Sequence, residues 1–398
     1  MAQSARYNVV LVGRDKAPTL AGQMLQVELR KEGYATRSFF GDGKPMSATL
    51  EEIAQAARDA KLTWVGMSSS QEFAEPEIVA ARASQHLALY ADIENCQNRG
   101  WFQEFHEKAD LLFVLTEREK KSAFRVYGKH VTILATGNPT HEEFAFPKLS
   151  REEVRKHLNV ADDETLLLAL GTKSIPITCF LVMGILEAIK NSPLMRSRKY
   201  CTRKYYIAVF THPGDEGMRA LVPIKEKGIV RVKPEMLTPE LAPYADSDGY
   251  VWFKYLDPYA DVKTFSGDVR VEIVQGTKEF STPHAIAGAD AVIQIAGTEG
   301  RRAAYQGIPV IDFFSYLGFN RMKEINQIET WEPCELGMSY GIYDGDILKL
   351  AEELDWILTP EGRKMRTKDQ HDACPPIKER GSAVAAMVEA MRPYLTKK

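Results

Sequence analysis

The chain has 398 residues, 44% hydrophobic and 26% charged, with a formal net charge of −3 at pH 7. That length exceeds one ordinary core and predicts two domains of roughly 150–200 residues; the charge excludes a uniformly basic nucleic-acid coat but leaves a local basic patch open. No run reaches the roughly 18–20 apolar residues of a membrane span, and the five scattered cysteines lack zinc-ligand spacing or the pattern of a disulfide framework.

The opening, MAQSARYNVVLVG, enters a strand without a charged leader and apolar h-region, so a reduced, cytoplasmic setting is expected, the host cytoplasm for a phage-encoded chain. Tyr7–Gly13 is a continuous apolar strand, and the helical stretch after it stops at Gly33. YATRSFF is a second strand; SATLEEIAQAARDA opens a helix on a Ser/Thr cap. LTWVGMSSS, HLALYAD, ADLLFVLT and HVTILATGNP supply four more strands. Strands that are apolar throughout are buried on both faces, which predicts a parallel sheet covered by helices.

After Gly137-Asn138-Pro139 the composition turns polar, with a capped helix from Ser150 to Leu158, and the strand–helix rhythm restarts at TLLLALGT and runs to IPVIDFF. The last helix, SAVAAMVEAMRPYL, has apolar residues at i, i+3 and i+4 and is expected to pack back on the first domain. The fold class is therefore α/β, two doubly wound Rossmann-like domains facing across a cleft: residues 1–145, residues 146–375, and a returning segment 376–398.

In open parallel sheets ligands bind outside the carboxyl ends of the strands. The strand-to-helix loops 13–19, 68–77, 91–99, 171–178, 211–217, 275–284 and 297–302 are thus the places to look. In the last of these, Gly297-Thr298-Glu299-Gly300-Arg301-Arg302, a glycine turn opens a helix. A helix N-terminus offers unpaired N–H groups and about half a positive charge to an anion, and glycine lets the backbone approach it closely.

Three segments in order, VTILATGNPTHEEF, REEVRKHLNVADDETLLLALGT and ADAVIQIAGTEGRRAAYQGIPVI, resemble the GT-B nucleotide-sugar glycosyltransferases. That group includes the lipid II N-acetylglucosaminyltransferase, the lipid A disaccharide synthase and the related UDP-N-acetylglucosamine 2-epimerases. The likeness is clearest from Val131 onward. It implies a GT-B fold, an N-terminal acceptor domain, and a nucleotide-diphosphate sugar, a UDP-sugar by family habit, held on the C-terminal domain. It also implies transfer without a metal or other cofactor. Carried onto this chain, Gly297, Thr298 and Glu299 approach the diphosphate, with Arg301 and Arg302 adding positive charge. Gln275, Gly276 and Thr277 form the base loop, the Gly171-Thr172-Lys173 turn faces the donor with Lys173 on phosphate, and His212 is a phosphate donor or a turn histidine beside Pro213. One position departs: the family commonly has Glu where Arg302 stands, to accept from the ribose hydroxyls. A cation cannot accept, so Glu299 takes that role or the donor carries a further anionic group. The epimerases carry a GTRPE-like first turn; here it reads GRDKAPT.

Sugar transfer needs a general base near the acceptor hydroxyl. Asp92, after HLALYA, is the first candidate, with a helix-capping role as the alternative. Asp15, beside Lys16, is the second, against a solvated turn residue; Glu72 is the third. Glu75 and Glu77 flank Pro76 at a helix start and read as surface residues complementing the helix dipole. His141 reads as a cleft-lining residue.

The acceptor signal is SPLMRSRKYCTRKYY, where Arg196, Arg198, Lys199, Arg203 and Lys204 surround Tyr200, Tyr205 and Tyr206. Cations interleaved with aromatics suit a nucleic-acid backbone; a solvated basic loop is the alternative. Phage DNA glycosyltransferases share the GT-B architecture and modify hydroxymethylated pyrimidines, which must leave the stack. Double-stranded DNA is therefore the specific acceptor expected, with Trp101 and Phe102 available to hold a flipped base, and a glycan or lipid-linked acceptor is the competitor. A non-catalytic nucleotide-binding or nucleic-acid-binding module is the remaining class.

Overall fold

A computed structural model describes residues 7–66, 74–92, 100–172, 175–192, 204–210, 230–232, 251–253, 269–274, 276–277, 279–316, 318–320, 323 and 330–395. The chain divides into two compact units, Met1–Glu143 with Ile377–Lys398, and Phe144–Pro376.

In the first unit, β1 (Tyr7–Gly13), β2 (Thr36–Phe40), β3 (Ala60–Gly66), β4 (Leu87–Tyr90), β5 (Leu111–Val114) and β6 (Thr132–Ala135) form one sheet in the order β2-β1-β3-β4-β5-β6. Every pair is parallel. The apolar runs are buried on both faces because alternate residues point to opposite sides. Val10 and Val12 join one core with Val65 and Leu89, whereas Val9 and Leu11 join the other with Trp64 and Tyr90. Helices α1 (Lys16–Lys31), α2 (Leu50–Arg58), α3 (Glu75–Ala83) and α4 (Glu117–Tyr127) link the strands. Their starts are written locally. Thr49 accepts from the Glu52 amide at 3.2 Å while the Glu52 carboxylate accepts from the Thr49 amide at 2.8 Å, a capping box that begins α2.

The C-terminal helix Ser382–Leu395 belongs to this unit. Val384, Met387, Val388, Met391 and Leu395 pack onto the core that contains Leu25, Leu29 and Trp64. Its amino end is held by Glu142, whose carboxylate accepts from the Gly381 amide at 2.6 Å, the Ser382 hydroxyl at 2.6 Å and the Ala383 amide at 2.7 Å.

The second unit repeats the plan. It contains α5 (Arg151–His157), β7 (Glu164–Leu170), α6 (Ile175–Asn191), β8 (Lys204–Phe210), β9 (Val230–Val232), β10 (Val251–Phe253), β11 (Val269–Val274), α7 (Thr282–Ala285), β12 (Ala291–Gln294), α8 (Thr298–Tyr305), β13 (Val310–Phe313), α9 (Glu332–Leu336), β14 (Tyr340–Ile342), α10 (Ile347–Ile357) and α11 (Pro360–Ala373). Six strands form a parallel sheet in the order β11-β8-β7-β12-β13-β14, and β9 pairs antiparallel with β10. Leu170 pairs with Gln294, and Gln294 with Asp312, so three strand ends share one row. No described helix is long and apolar enough to cross a membrane.

Candidate functional site

In the second sheet the strand order reverses between β7 and β12: the chain leaves β7 through α6 toward β8 on one side, and leaves β12 through α8 toward β13 on the other. Two loops diverging from adjacent carboxyl ends open a crevice there. Gly171 and Thr172 follow β7, and Gly297, Thr298, Glu299, Arg301 and Arg302 follow β12, so the fold gathers these sequence-chosen residues at one place.

The turn before α8 has an internal support. Gln294, 3% exposed, donates from Nε2 to the Gly297 carbonyl at 3.2 Å and to Asp312 Oδ1 at 3.0 Å. A Cβ on Gly297 would lie 2.6 Å from Gln294 Oε1, and one on Gly300 would lie 2.1 Å from Gln294 Nε2. The glycines are therefore needed beneath the turn, for this amide, and not only above it for a ligand. Asp312, fully buried, accepts from Gln294, from the Ala296 amide at 3.1 Å, from Trp331 Nε1 at 3.0 Å and from the Ser339 hydroxyl at 2.5 Å. These bonds hold Ala296 at φ 49°, a left-handed conformation costly for a residue with a Cβ. Burial pushes the Asp312 carboxyl up, against the donors that favour its charge. The neighbouring Cys334 thiol is pushed up by burial and then by the Asp312 charge, so it stays a thiol at neutral pH. Neither Asp312 nor Gln294 stood out in the sequence; their signal was a lone polar residue in the last two positions of each of two adjacent apolar strands.

Thr298, at the first position of α8, is exposed. The Thr298 and Glu299 amides have no carbonyl four residues back within the helix to bond. Glu299 Oε2 accepts from Arg302 Nε at 2.7 Å, and the Arg302 guanidinium lies 4.1 Å from the Phe144 ring centre, with Arg302 only 8% exposed. In this pairing Glu299 offsets the Arg302 charge at the turn, and the carboxylate considered for the ribose is engaged by Arg302. Arg301 is partly exposed on the same first turn. Across from α8, His284 Nδ1 accepts from the Ser281 amide at 3.2 Å, and burial followed by the Lys148 charge holds its pKa below the usual imidazole range.

The turn after β7 donates inward. The Gly171 amide goes to the Phe210 carbonyl at 2.8 Å, and the Thr172 amide to Thr178 Oγ1 at 3.0 Å. The Gly171 and Thr172 amides are thus bonded within the protein and not offered to a ligand. Gly276 and Thr277 are exposed, and Thr277 closes a tight turn through its amide to the Phe280 carbonyl at 2.6 Å. Lys173, His212, Gln275, Glu72, Arg196, Arg198, Lys199 and Arg203 lie outside the described residues.

Lys204 is placed elsewhere. It begins β8, opposite Glu164, and pairs with Asp163 at 2.9 Å. A seven-residue strand separates it from the carboxyl ends, about 20 Å. Tyr205 and Tyr206 are 3% and 1% exposed in the core, the Tyr206 hydroxyl donating to Glu272 at 3.0 Å, so neither presents a ring for a base. Phe102, 2% exposed, is likewise a core residue and cannot hold a flipped base as expected.

In the first unit the strand order reverses between β1 and β3. Asp15 follows β1, its side chain 28% exposed and 3.3 Å from Arg14 Nη1. Asp92 follows β4, two strands away, or about 10 Å. It is 6% exposed, and its carbonyl accepts from Asn138 Nδ2 at 2.9 Å. His141 is 7% exposed, its amide bonded to the Asn138 carbonyl. Glu77 reverses the sequence reading: it is fully buried, not on the surface.

No family model and no curated protein sequence matches the chain. Solved structures do. The glycosyltransferase from Rickettsia africae ESF-5 matches with a TM-score of 0.55 at 9% identity, over 99% of this chain and 100% of that one. UDP-GlcNAc 2-epimerase from Neisseria meningitidis bound to UDP-GlcNAc matches at 0.53 and 12% identity, over 97% and 100%. Anabaena Alr3699/HepE in complex with UDP matches at 0.51 and 11% identity, over 97% and 100%. At these identities the likeness establishes architecture: the chain has the α/β fold of the GT-B nucleotide-sugar enzymes.

Proposed function

We propose that the chain moves a sugar from a UDP-sugar to an acceptor hydroxyl, with the diphosphate at the amino end of α8. The observation that carries this is the exposed start of α8 at the reversal of strand order between β7 and β12, on a turn braced from below by Gln294 and Asp312. The Anabaena and Neisseria structures of the same fold were solved with UDP and UDP-GlcNAc, which supports a uridine nucleotide. In this reading the Thr298 and Glu299 amides and Arg301 stabilise the charge that develops on the departing diphosphate, and no metal is called on.

On the acceptor side Asp15 is favoured over Asp92, because it is the more exposed and stands where the first sheet reverses. Its carboxylate takes the hydroxyl proton as the acceptor oxygen bonds to the anomeric carbon and the bond from that carbon to the diphosphate breaks. A hydroxymethylated pyrimidine in duplex DNA is the most specific acceptor the basic stretch suggests; Lys204 and the two buried tyrosines do not contribute to it. Epimerisation of the donor is the second reading, since epimerases match the fold as well as transferases do.

The test incubates the protein with UDP-glucose or UDP-GlcNAc, with and without hydroxymethylated duplex DNA or an oligosaccharide, and follows UDP release, sugar incorporation and isomerised donor. Incorporation supports transfer; isomerised UDP-GlcNAc without UDP release replaces it with epimerisation. Asp15→Asn should cut transfer by roughly two orders of magnitude at unchanged UDP affinity, and undiminished transfer would remove Asp15 from the role.

A further inference from the structure

Glu77 lies in the first turn of α3, the helix that follows β3, at the reversal of strand order in the first unit. It is 0% exposed. Its Oε1 accepts from the Arg14 amide at 2.7 Å, joining the start of α3 to the turn after β1, whereas its Oε2 is buried with no hydrogen-bond partner among the described residues. Burying half a carboxylate unpaired is costly, and such groups are kept where something depends on them.

What depends on it is the turn from β1 to α1. That turn is braced from the other side by α1 and by the loop after β2. The Gly13 carbonyl accepts from Thr19 Oγ1 at 2.9 Å and from the Gly41 amide at 3.0 Å, the Arg14 carbonyl from the Gly43 amide at 2.7 Å, and the Asp15 carbonyl from the Thr19 amide at 3.0 Å. Among the described residues, Glu77 reaches this backbone from the β3 side. We propose that Glu77 is a positioning residue: through the Arg14 amide it fixes the turn that carries Asp15, and the negative charge on its carboxylate sets how firmly Asp15 is held for proton transfer.

The inference rests on the reading that Asp15 serves the acceptor hydroxyl. Burial pushes the Glu77 carboxyl up to about 7, its backbone hydrogen bonds and the Arg14 charge opposing the rise and the Asp15 charge adding to it. Among the described residues, Arg14 and Asp15 are the charged groups that face it. Below that pH the proton sits on the carboxyl and its carbonyl oxygen accepts from Arg14 as a neutral group. Above it the bond becomes charge-assisted, about twice as strong. The hold on Asp15 therefore tightens as pH rises through neutrality.

Two variants and two readouts test this on the full chain. Glu77→Gln keeps an acceptor for the Arg14 amide but cannot ionise; Glu77→Ala removes both properties. By hydrogen exchange, the Arg14 amide should exchange roughly tenfold faster in Glu77→Ala and within about twofold of wild type in Glu77→Gln. Wild-type sugar transfer from UDP-glucose should rise between about pH 6 and 8 at constant UDP affinity, and Glu77→Gln should lose that rise. Unchanged Arg14 exchange in Glu77→Ala overturns the positioning role, and a pH step that survives in Glu77→Gln overturns the role of the charge. If wild type transfers no sugar, the functional reading fails, while the exchange measurement still decides whether Glu77 holds the turn.

Discussion

Gly300 has no room for a side chain because the Gln294 amide fills the space under the turn, 2.1 Å from where its Cβ would stand. Gly300→Ala should therefore cost about 1–3 kcal/mol and weaken UDP binding. Adding Gln294→Ala should recover much of that loss, a non-additivity that a double-mutant cycle of denaturation midpoints would measure. The sequence shows why a glycine turn suits an anion but not that Gln294 lies beneath it. That placement depends on the left-handed Ala296 and on Asp312, eighteen residues away in sequence and one strand away in space. Glu77 was hidden for a similar reason, since Glu75-Pro76-Glu77 has the composition of an exposed helix start and only the packing of α3 buries it. Its titration has a definite sign. The folded form binds its proton more tightly than an ordinary carboxyl, so stability from this group is greatest below the unfolded pKa near 4.5 and falls as pH rises through about 7, by about 3 kcal/mol in all. Chemical denaturation from pH 4 to 8 should show that slope in wild type and a shallower one in Glu77→Gln. Parallel slopes would mean that Glu77 titrates as an ordinary carboxyl.

Among the elements, the strands were the most legible, because continuous apolar runs such as VVLV and LLLAL leave no polar face and demand helices on both sides. Helix starts at Thr49 and Ser150 were legible for a local reason, both carrying a capping box whose partner stands three residues on. Within the basic stretch, period-two burial overrides composition at two positions: Tyr205 and Tyr206 are strand residues whose rings enter the two cores of the second sheet. The C-terminal helix is secured at its amino end by a carboxylate from outside the helix, Glu142 bonding the Gly381 amide, the Ser382 hydroxyl and the Ala383 amide. Glu142→Ala should leave donors unpaired at a helix terminus and remove a favourable charge, costing about 2 kcal/mol. That should lower the melting temperature of the first unit by about 4–8 °C, with Glu142→Gln losing less. No shift in Glu142→Ala would show that the apolar face of the helix suffices.

At the scale of the whole molecule, the two units carry the same device, a six-stranded parallel sheet whose order reverses beside its first strand, β1 in one unit and β7 in the other. Each reversal brings together loops distant in sequence: residues 171–172 with 297–302 in one unit, residues 13–15 with Glu77 in the other. GT-B architecture follows from this repetition, whereas the choice of acceptor does not, because it depends on loop residues that the sheet positions but does not specify. The central claim is that the amino end of α8 holds the diphosphate. Amide hydrogen exchange of the full chain with and without saturating UDP tests it most directly. The account predicts slowed exchange at Thr298–Arg301, and little change at the Gly171 and Thr172 amides, which are already bonded within the protein. Exchange at Thr298–Arg301 that is indifferent to UDP, with protection arising elsewhere or nowhere, would contradict it.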